Sequence, residues 1–173
     1  LQTFATTESG FTSAQKKGDA YIFGTTILTL TSDTESAVLY IKSNESSPLV
    51  IHNITIRAGT STGGTTEDYT RTDYTLPTTG TLITDASPAT VSNLLASDST
   101  SLLADVFQGA EGKTVGGAIF SDSTLQLTQT IRDDGMGFII PKGAALGMSI
   151  TPPPGNTSMK FQVSVTVYLL DSE

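Results

Sequence analysis

One histidine, His52, and no cysteine stand among the 173 residues, so the side chains that most often do chemistry are scarce. A thiol nucleophile, a disulfide frame and a thiolate metal site are excluded outright. One imidazole leaves a zinc site at most a single His ligand and a His-dependent triad a single base. His52 falls in phase with Val50, Ile54 and Ile56, which predicts an interior histidine on an apolar face rather than a ligand or base. No nucleophile elbow, metalloprotease helix or P-loop is read from the chain. The carboxylates pair up in polar stretches: Asp33 with Glu35, Glu67 with Asp68, Asp133 with Asp134. Glycoside hydrolysis needs two carboxylates facing each other across a cleft, and turn carboxylates are ordinarily solvated. Asp133-Asp134-Gly135 reads as a hairpin turn; calcium there would lack the EF-hand spacing. Tyr69 and Tyr74 flank a loop and are the best aromatic platforms for a sugar in a chain without Trp, though ordinary strand positions explain them better. Asn44, Asn53 and Asn156 open glycosylation sequons of the kind a Thr/Ser-rich chain produces by chance. The expectation is no catalytic residue, no cofactor and no metal.

The elements that would position these residues are strands. Met159, Phe161, Val163, Val165, Val167 and Leu169 alternate with Lys160, Gln162, Ser164, Thr166 and Tyr168, the period of a strand buried on one face. Its length predicts a central place in its sheet. Residues 25–31, 37–42 and 49–57 show the same alternation, and the short polar breaks 32–36 and 44–48 predict a three-strand antiparallel run. Gly59, Gly63 and Gly64 mark a loop. Tyr69 to Thr75 suits a strand, and 101–107 leans to strand over a short helix capped at Asp98. Leu125, Leu127, Gln129 and Ile131 alternate in one strand; Leu146, Met148 and Ile150 share a face of another. Residues 1–18, with isolated Phe4 and Phe11, read as an N-terminal arm, either frayed or ordering on a neighbouring subunit through those two rings. Residues 19–173 form one domain.

Charged residues make up 15%, below the usual quarter, while Thr, Ser and Gly abound, which favours pleated structure and tight turns. The net charge of −8, with cations scattered apart from Lys16-Lys17, argues against direct nucleic-acid binding. No apolar run approaches the ~18 residues that span a bilayer, so membrane insertion is not expected. Leu1-Gln2-Thr3-Phe4 lacks the flank and apolar run of a signal peptide, so none is expected within this sequence. The sum predicts an all-β fold, an antiparallel β-sandwich arranged as a single jelly roll of about eight to ten strands.

Three stretches carry a resemblance: Phe23-Gly24-Thr25-Thr26-Ile27-Leu28-Thr29-Leu30-Thr31-Ser32, Ala37-Val38-Leu39-Tyr40-Ile41-Lys42-Ser43-Asn44, and Val50-Ile51-His52-Asn53-Ile54. With Ile140-Pro141-Lys142-Gly143-Ala144, Thr151-Pro152-Pro153 and Gly155-Asn156-Thr157, they resemble virion structural proteins of double-stranded DNA bacteriophages. Size and pattern are also similar to the single jelly-roll capsid proteins of tailless icosahedral viruses. The likeness covers most of the chain and fades between 66 and 117. It implies a non-enzymatic subunit of the capsid shell or its outer decoration, located in the extracellular virion. Its partners would be copies of itself, as a trimer or larger assembly, and other virion proteins. It transfers no catalytic residue. The alternative reading is a secreted or cell-surface carbohydrate-binding β-sandwich module or adhesin.

Overall fold

The computed structural model describes residues 9–59, 69–77, 87–126, 130–134, 137–155 and 158–170. The alternation at the C-terminal end becomes β12 (Ser158–Leu169), the spine of the first sheet. Met159, Phe161, Val163, Val165 and Val167 are all buried in the main core, and removing each from water contributes about 1.5–3 kcal/mol. One edge of β12 pairs along its length with β4 (Leu49–Ala58). The other is shared end to end by β1 (Ala20–Gly24) and β2 (Leu28–Thr31). Beyond β4 lie β9 (Thr130–Asp134) and β10 (Ile139–Ile140), and beyond β1 lies the short β6 (Val91–Asn93).

The second sheet runs β7 (Ala104–Gln108), β3 (Ser36–Ser43), β11 (Ala145–Thr151), β5 (Tyr69–Leu76), β8 (Ala118–Gln126). Leu146, Met148 and Ile150 of β11 face Val163 and Val165 of β12 across one shared core, as their spacing predicts. The fold is therefore an antiparallel β-sandwich. Its pairings are nested: β1 and β2 with β12, β3 with β11, β4 with β9 and β10, β5 with β8. Each successive pair lies in the opposite sheet.

This nesting corrects the expected three-strand run. β2, β3 and β4 are antiparallel to their partners, but none pairs with the next in sequence. The polar breaks 32–35 and 44–48 cross from one sheet to the other, a gap of about 10 Å, instead of turning a hairpin. The stretch expected as one strand over 124–131 is likewise divided between β8 and β9, in different sheets, with residues 127–129 outside the described set. Segment 101–107 resolves in favour of strand, as β7. That edge strand is tied down by the Gly109 amide donating to the Val38 carbonyl at 2.8 Å, while the Lys113 carbonyl accepts from the Ala37 amide at 2.7 Å.

The core is not wholly apolar. Thr70 and Thr72 share a register parity with core Tyr74 on β5, and their hydroxyls are fully buried without a protein partner. An unpaired hydroxyl in such a place costs about 1–3 kcal/mol. Thr70→Val, which keeps the shape and removes the oxygen, is expected to raise the urea midpoint, with a gain of about 1 kcal/mol. A lower midpoint would mean that the hydroxyl is satisfied.

Candidate functional site

Two registers decide what the surfaces carry. In β4, Thr166 of β12 stands opposite Asn53 and Val167 opposite Ile51, so His52 is an extra, unopposed residue at a bulge. The inward set switches there from Leu49 and Ile51 to Ile54 and Ile56. His52 therefore does not share the core face with Ile54 and Ile56, contrary to expectation; it stands half-buried on the outer face of the sheet. Helix α1 (Gly10–Lys17) covers it. The Phe11 ring stacks on the imidazole at 3.9 Å and 5°, and Tyr168 meets both rings edge-on at 5.9 and 6.3 Å. Eight residues are too few to hold a helix in water alone. This one is fixed by Phe11, by buried Ala14, by the Ser9 N-cap accepting from the Thr12 amide, and by Gly18 in the left-handed conformation at its end. Nothing in the reading of residues 1–18 anticipated a helix there, though Ser9, Lys16-Lys17 and Gly18 are ordinary start and stop signals.

Beside the helix, the outward residues of β4 and β12 line a shallow hollow of about 560 Å³ with Asn53, Thr55, Arg57, Gln162 and Ser164. Its described lining offers hydrogen bonds and one guanidinium but no acid–base pair. The second register lies in β5–β8: Tyr74 pairs with Ser121 and Thr75 with Ile119, leaving Phe120 unopposed. The bulge turns Phe120 toward Phe138, edge-on at 4.8 Å, and Phe138 in turn meets core Tyr74 at 6.0 Å. Where the β8 and β10 edges of the two sheets meet, an apolar slot of about 310 Å³ opens, lined by Leu76, Phe120, Phe138, Ile139, Pro141 and Ala144. Among the described residues no charged one lines it, yet Leu76, Phe120 and Ile139 are 47%, 39% and 57% exposed.

The remaining candidates do not converge. Asp133 and Asp134 are not a hairpin turn: they lie in β9, opposite Ile54 and Asn53, with Gly135 outside the described residues. Glu67, Asp68 and Asn156 also lie outside them. Asp33 and Glu35 sit exposed in the β2–β3 connection, Asp33 with a left-handed φ of 53°. Tyr74 is 1% exposed in the core and is no sugar platform, while Tyr69 is exposed. Among the described residues no group of three or more His, Asp or Glu could hold a metal, and no helix is long and apolar enough to cross a membrane. The reading that no elbow pattern is present also needs correction, since Gly59-Thr60-Ser61-Thr62-Gly63 spells Gly-x-Ser-x-Gly. That pattern acts only at a strand-to-helix elbow, and its serine lies outside the described residues.

Sequence reading missed the buried Asp73, which accepts from the Arg71 Nε at 2.8 Å. It also missed Glu45, which accepts from the Leu103 amide at 2.6 Å. Asp98 accepts from the Thr100 hydroxyl and amide, and these hydrogen bonds hold its carboxyl below the ordinary value. Burial first, then Asp19, Glu45 and Asp98, push the Tyr21 phenol above its ordinary value; burial does the same for Tyr40. Folded protein thus keeps two protons that the unfolded chain releases, so their stabilisation is complete below about pH 10 and fades as pH rises through the folded values. Absorbance at 295 nm and far-UV dichroism, followed together in alkali, are expected to show the last phenols ionising with loss of the sheet. Full ionisation with the dichroism unchanged would contradict this.

No protein family matches the sequence, and no curated protein matches it. Among solved structures, a chain from the acidic stable capsid structure of Helicobacter pylori bacteriophage KHP30 aligns at 10% identity, covering 84% of this chain and 95% of that one. The TM-score is 0.28, too low for the alignment to support a shared fold or role.

Proposed function

We propose that this chain is a non-enzymatic structural subunit of a bacteriophage particle, a single jelly roll that associates with copies of itself in the capsid shell or its outer decoration. The observation that carries the reading is the nested strand order. A ribbon of paired strands, folded so that successive pairs alternate between two sheets, is the plan of a jelly roll, and viral shells are among its common uses. The single histidine is stacked beneath Phe11 instead of facing a cleft, which suits a brick better than a hydrolase or a metal-bound relative of the same plan. In this reading residues 19–173 are one domain, and residues 1–18 are an attachment whose helical half is docked. Its partners are copies of itself, as trimers or larger assemblies, and other virion proteins, and its place is the virion.

Light scattering over a wide concentration range, with negative-stain imaging of the same sample, tests the proposal. Trimers, hexamers or closed shells are expected. A strict monomer of 18.1 kDa at high concentration would overturn it.

A further inference from the structure

We infer that the apolar slot where the β8 and β10 edges meet receives Phe4 of a second copy of this chain, so that the residues before α1 act as an exchanged strap. The inference rests on the self-association reading above and names the surface that would serve it. Three observations converge. The slot's described lining is uncharged and aromatic, and it holds Leu76, Phe120 and Ile139 in water, the kind of exposed apolar patch that marks a contact site. A chain of net charge −8 repels its own copies, so they meet at least cost where neither side brings a carboxylate. Leu1-Gln2-Thr3-Phe4-Ala5-Thr6-Thr7 is uncharged and offers one large ring; Phe11, the other candidate anchor, is already used on His52.

Position supplies the third. Gly10 lies against the Tyr168 ring on β12 and Phe11 over His52 on β4, while Gly18, at the helix end, accepts from Asn93 on β6 at 2.6 Å. The chain therefore enters α1 from the β4–β10 side. Tyr168, Val50 and Ile139 stand in one row across β12, β4 and β10. That puts the helix start about 10 Å from the slot's edge strand, at ~4.8 Å per strand. Phe4 stands six residues before Gly10, a reach of at most about 20–22 Å. A neighbour that meets this edge about a two-fold axis brings its own slot and strap within the same reach, so one contact is made twice.

The absence of cysteine gives a direct test. A5C protein, which keeps the Phe4 ring, is mixed with I139C protein whose thiol carries an activated mixed disulfide, so only a cross-link between copies joins the two. Ile139 is exposed, and dichroism checks that both variants keep the sheet. Cross-linking is expected on the order of tenfold or more faster than with T29C, an exposed position on β2, because docking raises the effective concentration. Equal rates, with wild-type protein still oligomeric, would overturn the strap and leave the self-association reading standing. Wild-type protein that stays monomeric would overturn both. An A5C/I139C chain that closes on itself, with no cross-link between copies, would assign the slot to the chain's own segment and sink the exchange.

Discussion

Phe161→Ala is expected to cost about 3–5 kcal/mol, the range for removing a buried phenyl ring. The ring is 1% exposed on β12, which is paired on both edges, to Ala58 of β4 and Leu28 of β2. Backbone bonded on both sides cannot close in to fill the hole, so the cavity term is felt nearly whole. Against a domain stability of about 5–15 kcal/mol, that is a large share. Urea unfolding followed by dichroism measures it, with Ile27→Ala as the exposed control, expected within about 0.5 kcal/mol of wild type. A cost below about 1.5 kcal/mol for Phe161→Ala would mean that the spine is not the rigid centre described.

Gly109→Ala is expected to cost about 1–3 kcal/mol by a different route, overpacking. A Cβ at Gly109 would fall on the Ala37 carbonyl and crowd the Val38 backbone, neither of which is a side chain able to swing away. The edge would have to separate there, loosening the 2.8 Å bond from the Gly109 amide to the Val38 carbonyl. Gly112→Ala is a weaker comparison for space alone, since nothing lies within 4 Å, though its φ of +70° adds strain of another kind. Hydrogen exchange should rise at Gly109 and along β7 while β12 keeps its protection. Unchanged exchange on β7 would refute the account.

What the sequence disclosed was facing, and what it hid was partnership. Met159 to Val167 and Leu146 to Ile150 point inward as their alternation predicts, because facing is a local property of one strand. His52 was misplaced because a bulge is a relation between two strands: β12 keeps an unbroken period while β4 slips by one. The same limit misassigned β2, β3 and β4, whose short polar connections suit a hairpin and a crossing between sheets equally. Phe120 and Ile139 gave no sign of a slot, because it forms only where edges of two sheets, distant in sequence, come together. Helix α1 was a different kind of miss. Its capping residues were in plain view, but eight residues without a strong apolar stripe depend on Phe11 finding His52.

The nested pairing also sets a timetable. Thr75 and Leu76 need wait only for Ile119 and Ala118, whereas Ala20 cannot meet Tyr168 until nearly the whole described chain exists. Closing the inner pair first costs the least loop entropy, and each outer pair then closes a loop already shortened by the one inside it. Folding should therefore zip from β5–β8 outward, at the slow end of the range for domains of this size, with millisecond-to-second rates typical of non-local β topologies. During synthesis, Leu28, Leu30, Ile54 and Ile56 would stand without their central strand until β12 emerges. The yield of folded chain would then depend on how well the half-made ribbon is kept from its neighbours.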